Sequence, residues 1–232
     1  MKIASFDIGK KNFAFYVEEV DENMLNSIVN VDKVKRYKNP EGGLSNDFAK
    51  VIDEVYKSGK KVLLRNVDLT ENTDCSKYFD LEICRNMNEV LDAYDEIWED
   101  VDIIIVEKQM SFRGKINTMA LKLGQNCLSY FIFNYGREKK IVEFPAYHKT
   151  QVLSSLMKKV KLKNGKEKYK SLDDRERKKW SVEETFGILS LREDYEMMNE
   201  IWEMKKRDDV SDAITQMQAF KYLYFVEKMK NF

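Results

Sequence analysis

Apolar and polar residues alternate from Lys2 to Phe6 and run into Asp7-Ile8-Gly9, a pattern that predicts a strand ending at a turn. A β-rich run follows at Asn12–Val20 (NFAFYVEEV), and a third at Ser27–Tyr37 (SIVNVDKVKRY). Their short connections predict an antiparallel meander. Leu44–Tyr56 spaces Phe48, Val51, Ile52 and Val55 as a helix does, and Lys61–Val67 reads as an additional strand. Leu81–Trp98 is predicted as one helix. Asp102–Glu107 (DIIIVE) has a continuous apolar run, which suits a strand buried on both faces. A helix at Asn117–Tyr135 and a strand at Lys140–Phe144, closed by Pro145, come next. Trp180–Met204 reads as one or two helices and Asp208–Met229 as a long helix. The order predicts an α/β fold over residues 1–232 as a single domain: a mixed central sheet, three antiparallel strands then parallel ones, flanked by helices.

Charge changes the picture by its distribution. The formal net charge is +0, yet Asp68–Glu107 holds thirteen acids against two bases, and Lys158–Lys179 eleven bases against four acids. Lys161–Arg175 has the least periodicity and reads as a basic, mobile loop within an insertion at 158–179. Such a run suits a solvated face or a phosphate-binding surface equally well when taken alone. Cys75, Cys84 and Cys127 are too scattered for a zinc site, and His148 is the only histidine. No apolar stretch approaches the roughly 20 residues of a membrane span. The strand at Lys2 leaves no room for a cleaved leader, so an intracellular, non-secreted protein is expected.

The candidate chemistry lies in carboxylates. Asp7 ends the first strand, and Glu107 follows Ile103, Ile104, Ile105 and Val106. Acids in such places are costly to bury without a cation or hydrogen-bond donors. Asp209 and Asp212 share a helix face, three residues apart, with Asp208 beside them. Capping and dipole compensation explain an acid at a helix start equally well, most readily for Asp208. Four such acids at one sheet edge would repel unless they held divalent cations, which take oxygen ligands and phosphates.

Phe6-Asp7-Ile8-Gly9-Lys10-Lys11-Asn12-Phe13-Ala14 resembles the D-x-G-x-K-N-x-A signature of the poxvirus-type Holliday junction resolvases, relatives of bacterial RuvC and the fungal mitochondrial resolvases. Ile104-Ile105-Val106-Glu107-Lys108-Gln109, followed by Asn117-Thr118 and a helix, resembles their second catalytic strand. Asp208-Asp209-Val210-Ser211-Asp212-Ala213 resembles their C-terminal acidic helix. The resemblance implies an RNase H-like fold and a nuclease that cuts four-way junctions symmetrically. Its implied metal ligands are Asp7, Glu107, Asp209 and Asp212, holding two Mg²⁺ ions with Mn²⁺ as substitute. Lys149 matches the family's basic residue after the last strand. The resemblance further implies branched DNA as partner, a homodimer, no membrane and no nucleotide cofactor. It suggests a large DNA virus as source, with the host cytoplasm as the place of action. Asp208-Asp209 leaves the ligand register open by one residue; Asp209 preserves the Asp-x-x-Asp spacing.

Lys161, Lys163, Lys166 and Lys168 are candidate DNA contacts, as are Arg113 and Lys115 beside Glu107. A proton-carrying role is open to His148, though a loop position beside Pro145 explains it as well. Tyr130, Phe131, Phe133 and Tyr135, with Trp180, Phe186, Met197, Ile201 and Trp202, serve either the core or a dimer contact. Three rivals remain: an RNase H-like nuclease of flaps, loops or RNA–DNA hybrids, a non-catalytic DNA-binding module, and an actin-like ATPase. The last would need glycine-rich phosphate loops, and only Gly42-Gly43 are adjacent.

Overall fold

The structure, a computed structural model, describes residues 1–71, 81–109, 117–162 and 165–229. In chain order the elements are β1 (Lys2–Asp7), β2 (Phe13–Val20), α1 (Glu22–Ser27), α2 (Asn46–Lys57), β3 (Gly59–Val67), α3 (Leu81–Asp92), α4 (Asp95–Glu99), β4 (Ile103–Lys108), α5 (Thr118–Tyr135) and β5 (Lys140–Pro145). They continue with α6 (Tyr147–Leu153), β6 (Met157–Lys161), β7 (Glu167–Ser171), α7 (Asp174–Leu191), α8 (Tyr195–Glu203) and α9 (Arg207–Lys221), which runs into a π-helical turn at Tyr222–Val226. The chain divides into two compact units. One is Met1–Val20 with Lys60–Ala146, the other Asp21–Gly59 with Tyr147–Asn231.

The first unit holds a five-stranded mixed sheet of order β3-β2-β1-β4-β5. β1 pairs antiparallel with β2 and parallel with β4, and β4 pairs parallel with β5. β4 is an interior strand whose Ile104, Ile105 and Val106 have no exposed surface, as the unbroken apolar run demands. An aromatic cluster of Phe6, Phe13, Phe15, Trp98 and Phe131 fills the core between the sheet and its helices. α5 starts where the Asn117 side chain accepts from the Ala120 N–H at 3.2 Å. The helix expected over Leu81–Trp98 breaks after Asp92. The break lets Trp98 turn inward and donate its indole N–H to the Leu91 carbonyl at 2.7 Å, satisfying a helix-end acceptor.

In the second unit, α9 is buried almost all round, from Val210 to Lys221 except for Asp212. Small hydroxyl residues let α7 and α9 approach closely: Ser181 and Thr215 hydroxyls lie 3.2 Å apart. α7 begins with a reciprocal capping box between Asp173 and Glu176.

Two expectations are corrected. Ser27–Tyr37 is not a strand; α1 ends there and a short 3₁₀ turn occupies Lys33–Lys35. Its apolar residues have no sheet face to cover, and Val29 and Val34 are 84% and 80% exposed. The strand beside β2 is β3, which sequence reading treated as additional. The stretch Lys161–Arg175, read as a loop, holds the last residue of β6, all of β7 and the start of α7. β6 and β7 pair from Met157↔Ser171 to Lys161↔Glu167.

Candidate active site

In the first unit, β1 and β4 run side by side in parallel, with Phe6 opposite Val106. The next residue on each strand is a carboxylate, so Asp7 and Glu107 stand together at the carboxyl ends of the two central strands. That edge of an open α/β sheet is where ligands bind. Both are half-buried. Gln109 donates its amide to Glu107 Oε2 at 3.2 Å, which orients the second carboxylate. The turn after Asp7 is closed by Gly9: a Cβ there would fall 2.8 Å from the Asn12 carbonyl oxygen. This explains the Asp-x-Gly spacing in terms of close backbone approach.

In the second unit, Asp208, Asp209 and Asp212 lie in the first turns of α9. Asp208 is claimed by Lys178 of α7, which donates to its carboxylate. Burial alone would raise the Asp208 pKa, but the Lys178 hydrogen bond and charge bring it below the ordinary value. Asp209 is different. Its Oδ2 is buried and has no hydrogen-bond partner. Burial, with the charges of Asp208 and Asp212 adding to it, pushes its pKa up to about 6. An oxygen donor of this kind is what a divalent cation fits. Asp212 Oδ1 lies 3.2 Å from Lys149 Nζ, and Lys149 is only 7% exposed although it sits on a seven-residue helix. Within either unit taken alone, no three His, Cys, Asp or Glu of the described residues form a metal cage. Asp7 and Glu107 lie in the first unit, Asp209 and Asp212 in the second.

The basic candidates separate. Arg113, Lys115 and Lys163 lie outside the described residues. Lys161, Lys166 and Lys168 are exposed on or beside the hairpin. Paired residues share a face of the ribbon, so Lys161 sits on the face of Lys159 and Tyr169, and Lys168 on the opposite face with Val160 and Lys170. Lys158 is tied to Asp173 and Glu176, and Lys159 to Glu167. Sequence reading singled out neither Lys178 nor Lys170. Their only signal was membership of the basic run, since the Lys178–Asp208 contact spans thirty residues. The His148 ring lies tilted against Tyr147, with ring centroids 4.4 Å apart, and burial lowers its pKa. Among the residues expected to serve the core or a dimer contact, Phe131, Trp180, Met197 and Ile201 are buried, whereas Phe133 is 90% and Trp202 62% exposed.

Comparison with solved structures defines the class. The fowlpox virus resolvase in complex with Holliday junction DNA superposes with a TM-score of 0.51 at 17% identity, covering 99% of this chain and 100% of that one. Thermus thermophilus RuvC gives 0.52 at 12% identity, covering 98% and 97%. The yeast mitochondrial Holliday junction resolvase gives 0.53 at 11%, covering 98% and 81%. The fold is that of the RuvC-like, RNase H-like resolvases. No protein-family profile matches the chain. It is 31% identical over 251 aligned positions to the uncharacterized protein 170L of Invertebrate iridescent virus 6, covering 97% of this chain and 91% of that protein. It is 27% identical over 224 positions to the uncharacterized protein 97L of Invertebrate iridescent virus 3, covering 94% and 98%. The chain belongs to the family of the iridescent virus 170L protein.

Proposed function

We propose that this protein is a divalent-metal-dependent endonuclease that resolves four-way DNA junctions. The observation that carries the reading is the pairing of Asp7 and Glu107 at the carboxyl ends of the central parallel strands. Three solved structures of the same fold support it: two are by name resolvases, one of them bound to junction DNA, and the third is RuvC. Asp7, Glu107, Asp209 and Asp212 would hold the metal, Mg²⁺ with Mn²⁺ as substitute, two ions to a site. When bound, such ions supply an activated water and neutralise charge on the leaving oxygen. The chain's own residues do the positioning. Gln109 fixes the Glu107 carboxylate, and buried Lys149 fixes Asp212. Lys178 withdraws Asp208, leaving Asp209 as the donor.

A junction presents two equivalent strands for cutting, and a C₂ homodimer places one site at each. Exposed Phe133, beside Ile132 at 56% exposure, supplies apolar surface for such an assembly. Among the described residues no helix is long and apolar enough to cross a membrane. The relatives come from iridescent viruses, which fits a viral source; viral DNA processing in the host cytoplasm is the role that follows from the nuclease reading.

The test is incubation with a synthetic four-way junction, a linear duplex, a flap and an RNA–DNA hybrid, each with and without Mg²⁺. Paired, symmetric nicks in the junction alone are expected. Preferential cutting of the flap or hybrid would transfer the same chemistry to that substrate. Junction binding without cleavage under any metal would leave a DNA-binding module.

A further inference from the structure

The root of the β6–β7 hairpin encloses an open cavity of about 250 Å³. Leu156, Met157 and Leu172 give it apolar walls, and Gln151, Ser171 and Arg177 line it with polar groups. The volume falls below the roughly 300–1,000 Å³ of pockets for drug-sized ligands, and suits a single planar heterocycle. The Arg177 guanidinium is already held, by the Leu172 carbonyl at 3.1 Å and by Asp174. A guanidinium neutralised and fixed in this way offers a flat face for stacking rather than a free charge. No hydrogen bond engages the side chains of Gln151 or Ser171 among the described residues. The Gln151 amide presents a donor and an acceptor side by side, the complement of a base edge.

The cavity is also built with strain. Ser155, on its wall, has φ +49°, a left-handed conformation unusual for serine. Gly42 presses against it so closely that a Cβ would fall 1.9 Å from the Ser155 carbonyl oxygen. The same loop holds the hairpin root, with the Met157 N–H donating to the Glu41 carbonyl at 3.0 Å and the Tyr169 hydroxyl to the Glu41 carboxylate at 3.2 Å. Met157 and Ser171 are cross-strand partners, so the cavity opens on the ribbon face that carries Lys161. Lys161 sits four residues along the strand, about 13 Å away. A phosphate-attracting cation therefore lies on the ribbon face onto which the cavity opens.

We propose that this cavity takes an unstacked nucleobase from the branch point of the DNA, an inference that rests on the junction reading above. A branch point interrupts stacking, which lowers the cost of extruding a base that a linear duplex would charge in full. The cavity thereby selects branched over linear DNA, separately from the carboxylates that cut.

The experiment uses the full chain in EDTA, with 2-aminopurine placed in turn at each nucleotide flanking the exchange point of a four-way junction. Binding of the wild type should raise the fluorescence of at least one position several-fold, as unstacking does. Ser171→Trp, which fills the cavity from an exposed strand end, should abolish that rise. It should also weaken junction binding about ten-fold, the scale of one stacked base, and leave linear-duplex binding unchanged. Gln151→Ala, at an exposed helix position where folding is not at stake, should lower junction affinity several-fold. Circular dichroism confirms that both variants are folded. Junction binding with no fluorescence change at any position, in a protein that cleaves the junction once Mg²⁺ replaces the EDTA, would overturn the cavity while leaving the nuclease reading intact, as would an undiminished signal in folded Ser171→Trp. Failure to bind the junction at all would overturn both.

Discussion

Replacing Glu227 with glutamine should cost the protein a measurable part of its stability, in a manner that depends on pH. Glu227 follows the π-helical turn after α9 and receives Arg36 Nη2 at 2.6 Å, Lys33 Nζ at 2.9 Å, Asn30 Nδ2 at 2.8 Å and the Tyr222 hydroxyl at 3.1 Å. Burial by itself would raise its pKa. The hydrogen bonds from Lys33 and Arg36, the Arg36 charge and the Tyr222 hydroxyl more than reverse this and hold it at about 2, against an ordinary 4.5. At 1.36 kcal/mol per pKa unit that difference is roughly 3 kcal/mol. Lys33 is 76% exposed and counts for little, whereas Arg36 and Glu227 are only 11% and 13% exposed. The amide should therefore cost about 2–3 kcal/mol at pH 7, because the Arg36 charge loses its counter-ion. For a chain of this size the midpoint of thermal unfolding should fall by roughly 5–10 °C. The folded-state pKa is depressed, so the carboxylate's contribution is complete above pH 4.5 and is lost as the pH falls toward 2. Urea unfolding of the wild type and Glu227→Gln at pH 7, 5, 4 and 3 should show curves that converge on the acid side. A gap under about 0.5 kcal/mol at neutral pH, or one that ignores pH, would refute this account of the cluster.

The site permits sharper tests of its parts. Asp209→Asn should abolish cleavage with junction binding retained, while Asp208→Asn, whose carboxylate only pairs with Lys178, should keep most activity; the reverse order in a cleavage assay would move the register by one. Alanine at Lys161, Lys168 and Lys170 should flatten the salt dependence of DNA affinity by roughly 0.9 in log–log slope per lost contact, whereas alanine at Lys158 and Lys159, already paired, should change it little. Gly9→Ala should reduce turnover far more than DNA affinity, since a Cβ 2.8 Å from the Asn12 carbonyl must push the turn beneath Asp7; unchanged kinetics would show that the turn yields. Sedimentation should give a species of about 55 kDa, twice 27.5 kDa, without DNA, and Phe133→Asp should shift it toward monomer if α5 forms the contact.

What could be read from the sequence follows how local the forces are. β4 and the Glu107 that ends it were visible because an unbroken apolar run has only one comfortable place in a sheet. α5 was legible to within one residue, the expected first residue, Asn117, being its cap. Ser27–Tyr37 misled because it has strand composition without a partner, and pairing is a tertiary property that propensity does not carry. The break after Asp92 depends on where Trp98 finds room, which no periodicity reveals. The strand-end acids and the Asp-x-x-Asp could be picked out from spacing, and the family resemblance joined them into one set. That Lys178 binds Asp208 and Lys149 binds Asp212 depends on α7 and α6 being folded back against α9. The basic run was noticed as charge, but only the ribbon's alternation divides its lysines between two faces.

The interleaving of the two units has a consequence for synthesis on the ribosome. All five strands of the central sheet, with Asp7 and Glu107, have emerged once Ala146 is made. The other unit begins at Asp21 but cannot close until α9 has been translated, because α9 is its buried axis and carries Asp209 and Asp212. A nascent or prematurely terminated chain thus lacks half of its acidic set and the core that would support it. For the nuclease proposed above, this order withholds Asp209 and Asp212 until α9 has been made.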